Sequence, residues 1–224
     1  MYRYLLSFLC ILSLSCRRDL SNEVNISQNI VTASLTGRVI DELNSPIAGV
    51  QVKVAGQTTT TNINGVFTFS NLSLPQLSFV EIKKAGYYTT GKTISLKNNQ
   101  VQYIDAQMIY MVESGKINAS TGGNIVMAGG SAISLPSNSV VNKVSNQPYS
   151  GNINVFFSSH KTDDAEFSKK QPGSNIAINL QQQKTFLNPY SYASTELIGN
   201  SGEQLQIASG KKAVLKFPIP TTDR

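Results

Sequence analysis

The chain has 224 residues, of which 14% are charged, and a formal net charge of +6. Its basic residues are scattered rather than gathered into a stripe with interleaved aromatic residues, which argues against a nucleic-acid-binding surface. Its two cysteines, Cys10 and Cys16, both lie near the start, so a disulfide framework and a thiolate metal site are excluded from the rest of the chain.

The first sixteen residues have the layout of an export signal. Arg3 supplies a positive charge, and an apolar run over residues 5–14 follows it. This run is shorter than the ~20 apolar residues that a membrane-spanning helix needs. We therefore predict that residues 1–15 are a cleaved leader and that the mature chain begins at Cys16.

The placement of Cys16 resembles the lipobox of bacterial lipoproteins, in which the cysteine is acylated and becomes the N-terminus. Ser13 departs from this pattern, since leucine is common at that position, and Cys10 fits less well because the cleavage point directly before it lacks a small residue. The alternatives are an ordinary secretory signal with an incidental cysteine and a buried core helix. The resemblance implies an outer-membrane lipoprotein, either periplasmic or surface-exposed, that is attached to membrane lipid through Cys16.

Polar residues 16–33 predict a tether, because they show no sustained apolar period. Residues 34–111 alternate between short β-type runs and turn residues, which predicts an all-β domain. We expect a small antiparallel sandwich of seven strands, over residues 35–41, 50–54, 58–61, 66–69, 77–82, 89–96 and 101–111.

Three short blocks in this region place folding residues at fixed positions. Glycines supply the sharp turns before and after buried strands. Phe67 and Phe69 point to the same face of one strand and are expected to bury their rings in the core. The block positions to which we assign structural turn or core roles are Gly37, Asp41, Pro46, Gly49, Gly65 and Phe67.

These blocks, in this order, resemble the carboxypeptidase regulatory-like domain of Bacteroidetes-type lipoproteins. The resemblance covers about a third of the chain. It implies a transthyretin-like (prealbumin-like) Greek-key sandwich, and it implies a fold more than an activity. Asn62 stands where the family usually has an acidic residue, which weakens any cation site in that turn.

Residues 112–224 predict a second β-sandwich-like domain, in which paired glycines punctuate further β-type runs. The order of these runs is similar to the β domain that follows regulatory-like modules in bacterial surface proteins. It is also similar to a domain of cartilage intermediate layer proteins and to the sandwich of ankyrins and netrin receptors. Such relatives usually continue past a Pro-Ile-Pro sequence like that at 218–220, so we expect either a truncated form or a short polar C-terminus.

His160 is the only histidine in the chain. Ser158 and Ser159 are expected to lie too near it in sequence to face it from one strand, and no nucleophile elbow is present. We therefore predict an exposed histidine at a strand end and no catalytic residues. The Phe-Ser-Ser-His order at 157–160 also differs from the His-Phe-Ser tripeptide of self-cleaving relatives, so self-cleavage is not expected.

Asp163, Asp164 and Glu166 form the densest acidic cluster and are the only metal candidates, because carboxylates at short spacing can hold calcium. The calcium-loop motif is absent, so we expect a solvated surface loop over residues 164–174 and no cofactor. Lys53 lies on a polar strand face, which argues against an isopeptide bond. Four tyrosines are candidates for stacking on sugar rings, although half-buried sheet positions are favoured: Tyr87, Tyr88, Tyr190 and Tyr192.

The sequence thus predicts a lipid-anchored module at the cell envelope that is not an enzyme and that binds an unknown protein or glycan ligand, or acts as a spacer. Two alternatives belong to other classes. The chain could be an accessory domain of an exported peptidase or glycan-processing enzyme. It could also be a component of an outer-membrane uptake system.

Overall fold

The computed structural model describes residues 29–162, 164–180 and 184–218. The predicted leader, Cys16 and Asp163 lie outside this part of the chain. Within it the protein is all-β, as predicted, with seventeen strands and a single short helix. No helix among the described residues is both long enough and apolar enough to cross a membrane.

The first domain (residues 29–111) contains seven strands, as predicted, packed as two sheets. One sheet has the order β4-β1-β7, and the other has the order β3-β2-β5-β6. The strands β1 to β7 span Ile30–Ile40, Gln51–Val54, Gln57–Thr60, Val66–Pro75, Leu77–Lys83, Thr90–Ser95 and Val101–Gln107.

Two features of these sheets correct the sequence predictions. Strand β1 begins at Ile30, inside the predicted tether, because its first residues pair with the end of β4, where Ile30 lies opposite Pro75. The sandwich is also not wholly antiparallel, since β1 and β7 pair in parallel. A parallel pair needs a long connection, and here the whole of β2 to β6 supplies it.

Period-two alternation fixes which side chains form the core of the first domain. On β2 Val52 and Val54 are buried, whereas Lys53 points to solvent, as predicted. On β4 Phe67 and Phe69 are both buried, with ring centroids 6.3 Å apart in an edge-to-face arrangement. Aromatic pairs of this geometry stabilise a core beyond the area that they bury.

The residues with predicted structural roles lie in turns or where neighbouring strands come close together. Asp41 Oδ1 accepts hydrogen bonds from the backbone N–H groups of Leu43 and Ser45, both at 2.8 Å, and so orders the turn that contains Pro46 and leads to Gly49. A side chain on Gly37 would collide with the ring of Phe67 and with a backbone carbonyl of β7.

The turn between β3 and β4 is also fixed by a glycine and by hydrogen bonds from the backbone to one side chain. Gly65 has a φ of +72°, and a Cβ there would meet the Val39 carbonyl oxygen, so only glycine suits the position. Asn62 Oδ1 accepts hydrogen bonds from the N–H groups of Asn64 and Val66 at 2.9 and 3.0 Å. The asparagine side chain therefore orders this turn through two hydrogen bonds to the backbone.

The second domain (residues 112–218) is a second sandwich, as predicted. Its sheets have the orders β11-β16-β15-β12-β8 and β17-β10-β9, and β13 and β14 form a separate hairpin. A buried cluster that includes Ile133, Val155 and Leu197 fills the space between the two sheets. The strands β8 to β17 span Glu113–Asn118, Gly123–Val126, Ala132–Leu135, Val140–Asn142, Asn152–Lys161, Ile176–Ile178, Lys184–Phe186, Ser191–Gly199, Gln204–Ile207 and Val214–Lys216.

The segment predicted as a solvated loop, 164–174, instead joins the two domains. It contains the short helix α1, Phe167–Lys170, and it lies along β6. Gly173 donates its N–H to the Gly91 carbonyl at 2.7 Å and accepts from the Thr93 N–H at 3.2 Å. Because β6 is an edge strand, it has backbone groups free to form these bonds.

Candidate functional site

His160 lies on β12 and is half-buried, not exposed as predicted. Its Nε2 is 2.9 Å from Ser158 Oγ, and its ring stacks on Tyr192 with centroids 4.8 Å apart. The prediction that Ser158 cannot face His160 was wrong, because residues two apart on a strand share a face. The contact is therefore a consequence of strand geometry.

The surroundings of His160 are partly buried and carry nearby charges. Burial, followed by the nearby charge of Lys170, lowers the pKa of His160, while the Asp164 carboxylate opposes this change. No carboxylate among the described residues forms a hydrogen bond with the imidazole. The Ser158–His160 pair accordingly lacks the orienting acid of a Ser-His-Asp triad in this part of the chain.

Two of the three metal candidates are engaged by lysines. Asp164 Oδ2 accepts a hydrogen bond from Lys170 Nζ at 2.7 Å, and this bond is the main cause of the lowered pKa of Asp164. Glu166 pairs with Lys169 at 2.8 Å. Asp163 lies outside the described residues, among which no group of three His, Cys, Asp or Glu side chains could hold a metal ion.

Most of the candidate sugar-stacking tyrosines serve packing. Tyr88 is buried, Tyr87 packs edge-on against Tyr110, and Tyr192 lies between His160 and Phe167. Tyr190, just before β15, is the exposed member of the four.

A cleft of about 440 Å³ lies between the two domains and brings together segments that are far apart in sequence. The first domain contributes the turn after β1 and the residues after β7. The second domain contributes the start of β8, the end of β9 and the middle of β12. The volume is within the ~300–1,000 Å³ typical of ligand sites.

Three apolar side chains that line this cleft are largely open to solvent. Tyr110 is 55% exposed, Val112 is 67% exposed and Val126 is 65% exposed. Grouped exposed apolar side chains with polar residues around them are typical of interaction sites. The sequence prediction placed residues 108–111 in the last strand, but β7 ends at Gln107, and Ile109 and Tyr110 beyond it line the cleft.

The charged side chains that line the cleft are Glu42 and Glu113; no lysine, arginine or histidine of the described residues does so. Glu42 Oε2 accepts a hydrogen bond from the Tyr110 N–H at 3.2 Å, which ties the turn after β1 to the residues after β7. The cleft is therefore locally acidic, although the whole chain has a net charge of +6.

Tyr88 also lines the cleft, and its hydroxyl is buried without a hydrogen-bond partner in the described structure. The side chain is only 3% exposed, so the missing partner carries a free-energy cost. Burial raises the pKa of Tyr88, and the carboxylates of Glu196 and Glu42 raise it further. The phenol therefore keeps its proton, chiefly because it is buried.

A second groove, of about 450 Å³, lies within the second domain. Its lining includes Ile133, Leu135, Leu197 and Leu205, which all belong to the buried cluster between the sheets. We attribute this groove to sandwich packing, because most of its lining is continuous with the core. The cleft between the domains is the better candidate site, since it combines exposed apolar side chains, carboxylates and an unpaired hydroxyl.

A comparison with known families finds a match to the first domain. Residues 34–109 match the carboxypeptidase regulatory-like domain, in agreement with the resemblance seen in the sequence. No curated protein sequence matches the chain.

Solved structures show only low overall similarity to the chain. A chain of the type II cohesin–X-dockerin complex from Acetivibrio cellulolyticus is 20% identical over 32% of this protein, which spans about half (51%) of that chain, with a TM-score of 0.28. A candidate carbohydrate-binding protein from Bacteroides uniformis is 11% identical over 84% of this protein and 100% of its own length, with a TM-score of 0.30. A streptococcal ancillary pilin is 15% identical over 85% of this protein and 55% of its own length, with a TM-score of 0.29.

Proposed function

We propose that the protein is a non-catalytic binding module held at the cell envelope by an acylated Cys16. The observation that carries the binding role is the cleft between the domains, where Tyr110, Val112 and Val126 remain largely exposed around the unpaired Tyr88 hydroxyl. A partner that covers these side chains would gain apolar burial and could satisfy the hydroxyl.

We also propose that the protein is not an enzyme, because of the surroundings of Ser158 and His160. Ser158 lines the cleft and contacts His160, but the acidic candidate Asp164 is held by Lys170. Because no carboxylate of the described residues orients the imidazole, the pair lacks, in this part of the chain, the arrangement that activates a serine nucleophile. The pair instead connects one wall of the cleft to the packing around Tyr192.

Attachment to the membrane is proposed from the leader and from Cys16. A lipid anchor at that position would be followed by the polar residues that precede β1, which begins at Ile30. The length of this segment allows the two sandwiches to stand away from the bilayer surface. The cleft would then be available to a partner in the same compartment.

Site-specific photo-crosslinking in intact cells tests the binding role. A photoreactive residue at Val126, in the cleft, is expected to give a discrete covalent adduct. The matched control is Val144, which is 91% exposed and does not line the cleft. Equal crosslinking from both positions, or no adduct from Val126, would contradict a binding site between the domains.

A further inference from the structure

We infer that the cleft between the two domains binds a cationic side chain, a lysine or an arginine, presented by a protein partner; this inference rests on the binding function proposed above. Three independent features of the cleft lead to this partner chemistry: its charge, the arrangement of its apolar walls and its unpaired hydroxyl.

The first feature is charge. Glu42 and Glu113 line the cleft from opposite domains, and neither forms a salt bridge with a lysine or arginine of the described residues. Lys83 and Lys84 line a separate depression, which they share with Glu196. The two cleft carboxylates are therefore left to attract a cation from outside, and they would disfavour an anionic ligand.

The second feature is the apolar wall between these carboxylates. Val112, Val126 and Met127 line the same cleft, and both valines are exposed. Lysine and arginine carry a long aliphatic stem below a charged head, so their stems pack on apolar surface while the head reaches polar groups. The exposed ring of Tyr110 adds a face that favours a nearby cation.

The third feature is the Tyr88 hydroxyl, which is buried without a partner. A lysine ammonium offers three N–H donors and an arginine guanidinium offers five, whereas neither offers an acceptor. Such a donor could form a hydrogen bond with a lone pair of the phenol oxygen, while the proton that the phenol retains still needs an acceptor. The cleft thus combines two carboxylates with a buried hydroxyl that has no partner.

Peptide titration followed by ¹⁵N NMR tests the inference on the full mature chain, with Cys16→Ser to leave it unacylated. The probe is a short acetylated peptide, Gly-Val-Arg-Val-Gly amide, and the control peptide carries citrulline, the neutral isostere of arginine. We expect the arginine peptide to shift the amide resonances of Glu113, Ser114 and Met127, and to bind about tenfold more tightly than the citrulline peptide.

A matched pair of variants assigns the effect to the cleft. Glu113→Gln is expected to weaken binding of the arginine peptide several-fold. Glu81→Gln, which removes the same charge from β5 outside the cleft, is expected to leave binding unchanged. Similar affinity for both peptides, equal effects of both variants, or no shifts at all would overturn the inference.

A neutral oligosaccharide, cellohexaose, is the third arm of the titration. Shifts of the cleft resonances by cellohexaose alone would overturn the cation inference and point to a glycan ligand. The photo-crosslinking result at Val126 does not depend on ligand charge. A crosslink at Val126 together with failed arginine binding would therefore reject the cation inference and leave the binding function in place.

Discussion

Thr61 shows how one buried hydroxyl fixes the path of the chain between two strands. Its Oγ1 accepts a hydrogen bond from the Val50 N–H at 2.9 Å and donates one to the Ile47 carbonyl at 2.7 Å. Both backbone groups belong to the segment that enters β2, and Thr61 itself is buried. The hydroxyl thus satisfies polar groups that water cannot reach.

Thr61→Val keeps the shape of the side chain but leaves these backbone groups without their partner. We expect a loss of about 1–3 kcal/mol in the free energy of unfolding, the usual cost of an unsatisfied buried group. Urea denaturation measures it. Thr60→Val, at an exposed position on β3, is the matched control and should change stability by less than about 0.5 kcal/mol. Equal effects at both positions would contradict this role for Thr61.

Individual residues differ in how far the sequence predicts them. The roles of Gly65 and Phe67 could be predicted, because a tight turn and a strand face are local properties. The burial of His160 could not, since it depends on β15, which places Tyr192 against the imidazole, and on α1, whose Phe167 packs against Tyr192. The partners of Asp164 and Glu166 likewise depend on the local helix that brings two lysines back to them.

At the level of elements, the side chain of Lys92 connects β6 of the first domain to α1 of the second. Lys92 on β6 donates hydrogen bonds from Nζ to the carbonyls of Ser168 and Gln171, at 2.8 and 2.7 Å. These carbonyls belong to α1 and to the residue that follows it, where a cation also interacts favourably with the helix end. Burial lowers the pKa of Lys92 from its ordinary 10.5 to about 8, and Asp105 partly opposes this shift.

This lowered pKa predicts a pH dependence of stability. Between pH 8 and 10.5 the unfolded chain binds a proton that folded Lys92 has lost, so the free energy of unfolding should rise with pH. Chemical denaturation between about pH 8 and 9.5, below the ordinary tyrosine pKa of ~10, measures this rise. Lys92→Met should remove it.

Lys92→Met should also loosen the docking of α1, because two carbonyls lose their donors. Lys53→Met, on the exposed face of β2, is the matched control and should keep the wild-type pH profile. An identical pH dependence for wild type and Lys92→Met would contradict the burial of this charge at the joint between the domains.

The strands themselves were largely predictable because their alternation is local. All seven strands of the first domain appear where the sequence indicates them, with shifted ends. The parallel pairing of β1 with β7 was not predictable, since it joins residues such as Ser34 and Val101 from opposite ends of the domain. The 164–174 segment is polar, which favoured the prediction of a solvated loop. Its pairing with the first domain was not predictable, because it depends on the free edge of β6.

At the scale of the whole molecule, the cleft exists only because two sandwiches meet. Glu42 and Val126 are remote in sequence, and no local pattern connects them. The sequence indicated a binding module but gave no place for the ligand. The structure supplies that place between the domains, and its acidic, partly apolar lining leads to the proposed cationic partner.

The proposed leader and acylated Cys16 would determine where such a module acts. An acyl chain contributes about 0.8 kcal/mol of membrane affinity per buried CH₂, and stable attachment requires more than one chain. A cysteine that carries two or three acyl chains would meet this condition. The proposed attachment of the protein to the cell envelope therefore depends on the side chain of Cys16.

Metabolic labelling with an alkyne fatty acid tests this claim most directly, by comparing the wild type with Cys16→Ala and with Cys10→Ala as the control. The wild type and Cys10→Ala should incorporate the label and sediment with membranes. Cys16→Ala should lose the label and its membrane association. Unchanged labelling of Cys16→Ala, or an unlabelled wild type, would contradict the lipid anchor.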